Sequence, residues 1–212
     1  MSRGRGVGRW SAASVLAATL TILSVRGESA ERLVSVARLV GRLQRAGRGE
    51  AALTQEVLSG GETLRSDRGR IVLEPPDRMR IDFHTSGERV TMRADGGEWI
   101  QPSLRQLLIL RPEQAQAVVT TWRSFLAGGA SAYRERPLGA RVYRLIPKTT
   151  SDQGADSLDV ELGSDGLPDH VSLWVGDQRW KLRLSGWTFG KARGPSAFTL
   201  RAPPGYSVFN WP

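Results

Sequence analysis

Side chains suited to acid–base, nucleophilic or metal chemistry are scarce in this sequence. It has two histidines, His84 and His170, and no cysteine. Thiolate metal sites, a cysteine nucleophile and a lipidated N-terminal cysteine are excluded, and two isolated histidines do not make a ligand cluster. Neither a G-x-S-x-G nucleophile elbow nor a G-x-x-x-x-G-K phosphate loop occurs,. Asp82 reads as a strand-edge residue and Asp95 as part of an Asp-Gly turn. The pattern points away from catalysis and toward a protein that acts by binding, with no metal and no cofactor.

The remaining candidates are apolar. Ile71, Met79, Ile81, Phe83, Val90, Met92, Trp99, Leu108 and Leu173 fall on strand-like segments, and Leu39, Leu43, Trp122 and Phe125 on helix-like ones. Such residues fill a solid core or line a ligand cavity, and periodicity alone does not separate the two. Met79 and Met92 suit a cavity because a thioether side chain adapts to varied partners.

Two helices and a long run of strands must position them. Between Glu28 and Ala46, Leu33, Val36, Ala37, Val40 and Leu43 recur at helical spacing, with Arg32, Arg38, Arg42 and Arg45 between them,. Gly47 and Gly49 end that helix. From Ala52 the period falls to two, giving Leu53, Gln55 and Val57, then Ile71 and Leu73, then Met79, Ile81 and Phe83, then Val90 and Met92,. Turn residues separate the runs, at Ser59-Gly60-Gly61, Pro75-Pro76-Asp77, Ser86-Gly87 and Asp95-Gly96-Gly97,. Pro112 and Glu113 start a second helix, running to about Leu126 and showing Val118, Trp122 and Phe125 on one face. Strand signals resume at Val142–Ile146, Leu158–Leu162, Val171–Val175, Arg179–Leu184 and Phe198–Leu200. The expected fold is mainly β with helices: about ten strands in a curved antiparallel sheet, an incomplete β-barrel, with an N-terminal helix and a mid-chain helical lid.

The 212 residues carry 30 Lys plus Arg against 21 Asp plus Glu, a formal +9. Residues 1–27 hold Arg3, Arg5, Arg9 and Arg26 and no acid, which leaves 26 cations against 21 acids, or +5, in the rest. There the cations alternate with acids, as in Arg65-Ser66-Asp67-Arg68, so the charge is a solvated surface and not a nucleic-acid footprint. The apolar run Ser11–Val25 after the arginine-rich start is too short for a stable bilayer span and has the form of an export signal,. Residues 1–27 are therefore expected to be a signal peptide cleaved near Gly27, with an uncleaved N-terminal anchor as the alternative, and 28–212 a single exported domain.

The strand motifs, taken in order, resemble the periplasmic outer-membrane lipoprotein carrier family known as LolA. The similar elements are the amphipathic N-terminal helix, Leu53-Thr54-Gln55, and the run Gly69-Arg70-Ile71-Val72-Leu73-Glu74-Pro75-Pro76 leading into Arg78–Phe83. Asp95-Gly96, Trp99-Ile100-Gln101-Pro102, Ser103–Leu107, Asp165-Gly166, Asp177-Gln178 and the closing Phe198–Gly205 follow in the family's order. Two departures stand out. Carriers of the family have an arginine directly before the proline that ends the early strand, implicated in holding the lid, and this chain has Pro75 there with Arg78 and Arg80 nearby. Ile81 replaces a frequent Trp. The resemblance implies a monomeric periplasmic carrier that holds an acylated lipoprotein or lipid cargo. It also implies an inner-membrane ABC-type complex that releases the cargo and an outer-membrane acceptor that takes it.

Overall fold

The computed structural model describes residues 33–111, 133–148, 157–175 and 177–211. Among these described residues one α-helix, α1 (Val34–Ala46), precedes twelve strands. These are β1 (Arg48–Ser59), β2 (Glu62–Glu74), β3 (Arg78–Phe83), β4 (Arg89–Arg93), β5 (Gly96–Gln101), β6 (Gln106–Leu110), β7 (Tyr133–Pro137), β8 (Val142–Pro147), β9 (Leu158–Leu162), β10 (Pro168–Val175), β11 (Gln178–Gly190) and β12 (Ser207–Asn210). All twelve join one open, curved sheet in the order β12-β6-β5-β4-β3-β2-β1-β11-β10-β9-β8-β7. Every pairing is antiparallel except β12, which runs parallel to β6 along one edge. The export segment and the mid-chain helix, with Trp122 and Phe125, lie outside the described residues.

Long hairpins form the spine. β1 and β2 meet through Gly60 and Gly61, both at positive φ, as a type I′ two-residue hairpin turn demands,. β11 pairs with the other side of β1 and carries an extra residue at Gly186, where φ is +64°. That bulge flips the strand's parity, so that Phe189 and Trp187 share a face with Leu184, Leu182 and Trp180.

α1 lies across this face. Leu39 and Leu43 pack on Leu73 and Leu167, with Ile71, Met79, Trp187 and Phe189 around them. The helix sits close because β1 has Gly49 beneath it: a Cβ there would stand 2.7 Å from Leu43 Cδ2. No side chain at the helix start caps it. The carboxylate of Glu135 on distant β7 accepts the N–H groups of Val34 (2.7 Å) and Ser35 (2.9 Å), satisfying orphan donors and placing negative charge at the positive end of the helix,. Gly47, at φ +96°, closes the other end by donating to Leu43 O,.

Two further glycines record how tightly the sheet curls toward the helix. Gly69 and Gly97 both face α1's side, and a Cβ would stand 2.2 Å from Asp82 O in the first case and 2.3 Å from Thr91 O in the second. Both oxygens belong to the backbone of the adjacent strand, so neither neighbour can give way without moving the sheet.

The segment Phe198–Leu200, expected to be a strand, instead starts at the last residue of a 3-10 turn (Pro195–Phe198) and belongs to a strap over the opposite face. Its backbone is held by arginines: Arg80 Nη1 donates to Ala197 O (2.9 Å) and Arg93 Nη1 to Phe198 O. The fully buried carboxylate of Glu74 accepts the N–H groups of Arg193 (2.6 Å) and Gly194 (3.2 Å) and pairs with Arg78.

Gly69→Ala is expected to lower stability by about 3 kcal/mol, the upper end for overpacking. Gly139→Ala, where a Cβ meets nothing within 4 Å, is the neutral control. Urea denaturation of both variants checks this.

Candidate functional site

Strand register brings the apolar candidates together. In one row Leu73, Met79, Met92, Gly97 and Leu110 stand side by side across β2 to β6, and in the next Ile71, Ile81, Val90, Trp99 and Leu108 do the same. Phe83 pairs with Gly69 in a third row. All of them share the face that carries α1, so Leu39 and Leu43 meet this wall at its β2 end. Leu173 pairs through its backbone with Trp180 and Leu158 in the other half of the sheet.

The wall is graded in exposure. Val90, Met92, Trp99 and Leu108 are buried in one cluster with Leu110, where Trp211 from the C-terminal segment lays its ring 6.0 Å from that of Trp99. Ile71, Met79 and Ile81, nearer the middle of the sheet, are only half-buried, as are Leu182, Leu184, Trp187 and Phe189 on β11. A half-exposed apolar band thus runs beside α1 on a sheet whose curvature shelters it. Hydrocarbon is the ligand chemistry such a surface favours, at roughly 25 cal/mol per Å² of apolar area removed from water.

One end of the wall is polar, and periodicity gave no warning of it. Gln55 on β1 pairs in register with Asp67 on β2, and Val57 with Arg65, all on the α1 face. Asp67 is 2% exposed and accepts N–H groups from Arg68 (2.8 Å), Thr85 (3.1 Å) and Ser86 (3.3 Å). Burial pushes its carboxyl upward, but hydrogen bonds from Ser86, Thr85 and Arg68 more than offset this and hold it below the usual aspartate range,. Arg65 Nη2 reaches Glu88 (3.1 Å) and Asp67 (3.6 Å), and its guanidinium lies 5.7 Å from the centre of the Phe83 ring,. Glu88 in turn accepts from Trp99 Nε1 at 3.3 Å. The sequence named Phe83 and Trp99 as wall residues, and the structure shows both also touching this charged rim.

Arg78 and Arg80, the cations closest in sequence to the family's lid arginine, are on the other face. In register they oppose Glu74 and Val72, and they pair with Glu74 and Asp82 beneath the C-terminal strap. On this chain those two arginines hold the strap and do not reach the apolar wall.

No family model and no curated protein matches the sequence. Solved structures share its fold. An uncharacterized conserved protein from Thermus thermophilus superposes with a TM-score of 0.51 at 12% identity, over 84% of this chain and 99% of that one. A DUF1329 family protein from Desulfovibrio piger gives 0.45 at 9% identity, over 78% and 95% of the two chains. A LolA superfamily protein from Nitrosomonas europaea gives 0.37 at 11% identity, over 77% and 97%. At these identities the likeness is one of fold.

Because folding depresses the Asp67 pKa, its contribution to stability is fully present above the ordinary aspartate value of about 3.9 and is lost as pH falls through the lower folded value. Asp67→Asn is expected to cost about 1–2 kcal/mol at neutral pH, from N–H groups left with a poorer acceptor. It should also flatten the loss of stability below about pH 4. Thermal melts across that acid range check both effects.

Proposed function

We propose that this protein is a carrier of acylated cargo. It holds the acyl chains of a lipoprotein, or of another acylated lipid, against the apolar α1 face of β2 to β6, and shuttles them through the periplasm from the inner to the outer membrane. It catalyses no reaction. An inner-membrane ABC-type complex loads it and an outer-membrane acceptor unloads it, and it works as a monomer. The observation that carries this reading is the register itself: Ile71, Met79, Ile81, Val90, Met92, Trp99 and Leu108 stand on one face of a strongly curled sheet. The short apolar run Ser11–Val25 supports export,.

The energetics explain why a carrier is needed. Each buried CH₂ moved into water costs about 0.8 kcal/mol, so two or three long chains face a barrier on the order of tens of kcal/mol. An apolar wall replaces lipid with an equivalent environment and removes the barrier without chemistry. Half-buried Met79 serves this purpose, since a flexible, polarizable side chain fits chains of different shape without gripping them,.

A second reading, a structural β protein with a solid core, is favoured by one observation. Met92 and Trp99 are each only 2% exposed, as core residues are. Mass spectrometry under native conditions separates the two. The carrier reading expects acylated lipid to co-purify with the folded protein, and Met79→Glu to reduce it severalfold while the circular dichroism of the strands persists. A folded protein that carries no lipid and takes up no acyl probe would overturn it. The mass of the retained lipid distinguishes a lipoprotein acyl group from a glycolipid.

A further inference from the structure

Two hydrogen-bond donors on the α1 face have no partner among the described residues. Gln55 and Trp180 are each 5% exposed, yet Gln55 Nε2 and Trp180 Nε1 are buried without an acceptor. A buried donor left unsatisfied costs free energy, and native proteins rarely tolerate it where no ligand or other use exists. The two are close in the sheet: Gln55 pairs with Leu182 and Val57 with Trp180, which makes Gln55 and Trp180 diagonal neighbours on adjacent strands of the same face. Diagonal positions lie about 7–8 Å apart at the backbone, within reach of long side chains. They belong to the polar end of the apolar wall, where Asp67 stands opposite Gln55 and Arg65 opposite Val57.

We infer that these two donors form a subsite for the carbonyl oxygen of an acyl ester or amide, the atom at which a lipid's hydrocarbon ends and its polar part begins. An indole N–H only donates, and a side-chain amide presents two N–H donors, so the pair asks for an acceptor. The nearby charges define which kind. Among the described residues, Asp67 and Glu88 outnumber the guanidinium of Arg65 that reaches both. A further anion, such as a carboxylate or phosphate, meets repulsion there, and a neutral carbonyl does not. An acyl chain laid along the half-buried Leu184 and Leu182 of β11, where Leu182 pairs with Gln55 and Trp180 follows on the same face, would bring its carbonyl to the two donors. This inference rests on the carrier reading and adds register to it: the chain enters with a fixed depth and its ester held at the rim.

Calorimetric titration with dioctanoylglycerol and with its dioctyl ether counterpart tests this, because the two differ in the carbonyls and share the hydrocarbon length. The full-length protein is expected to bind the ester about tenfold more tightly, the worth of one or two neutral hydrogen bonds. Gln55→Met and Trp180→Phe are each expected to bring the ester affinity down toward that of the ether and to leave ether binding unchanged. Unliganded Gln55→Met should melt at a higher temperature than the parent, since it removes an unsatisfied amide, whereas a purely structural role for Gln55 predicts a lower one. Equal affinity for ester and ether in the parent protein overturns the subsite and leaves the carrier reading standing. Binding of neither probe overturns both. A preference that survives in both variants overturns the assignment to these residues. The ester-to-ether ratio of the parent protein decides the question even where a variant does not fold.

Discussion

A slip of one residue between β2 and β3 would turn Met79, Ile81 and Phe83 outward and bring Arg78, Arg80 and Asp82 beneath the helix. Nothing in the molecule tolerates that exchange, because the two faces of these strands carry opposite chemistry. On the α1 side the register lines up apolar side chains. On the other side it lines up Glu74 with Arg78, Arg70 with Asp82, and Thr91 with Glu98, and the C-terminal strap binds to that ionic row. Glu74 shows how firmly the register is fixed. Its buried carboxylate is satisfied only when Arg78 and the N–H groups of Arg193 and Gly194 all arrive, and a buried charge that loses a partner costs several kcal/mol.

The helix depends on the same sheet. α1 has no cap of its own, and its first turn is held by Glu135 on β7, roughly a hundred residues away in sequence. Leu33 joins the cluster with Tyr133, Leu145 and Val160, while Leu39 and Leu43 join the one with Leu73 and Leu167. One helix therefore bridges the two halves of the sheet on either side of the β1–β11 spine. The apolar wall on β2 to β6 extends beyond it, with Ile71, Met79 and Ile81 half-open at the boundary.

Part of this architecture was legible because β3 and β4 alternate cleanly: residues bound for the wall are apolar and their neighbours polar or charged, as in Arg78-Met79-Arg80-Ile81-Asp82-Phe83. Where that contrast fails, the reading fails. β7 escaped notice because Tyr-Arg-Glu-Arg-Pro directs a carboxylate, Glu135, toward the helix face, where an apolar residue would have revealed the strand. β12 is four exposed residues paired on one side only, and has no pattern to show. Phe198–Leu200 has strand composition, but Pro195 and the arginines holding Ala197 O and Phe198 O make it a strap. The polar rim was illegible for another reason. Gln55, Arg65, Asp67, Glu88 and Trp180 are scattered over more than a hundred positions, and only the pairings of β1 with β2 and β11 put them on one end of one face.

The central claim is that hydrocarbon occupies the α1 face of β2 to β6. A fatty acyl probe bearing a photoreactive diazirine, irradiated with the purified protein and mapped by peptide mass spectrometry, tests it directly. The account predicts adducts on Ile71, Met79, Ile81 and their neighbours in those two rows, and competition by unlabelled acyl lipid. Labelling confined to the ionic face, or no labelling that unlabelled lipid can displace, would contradict it.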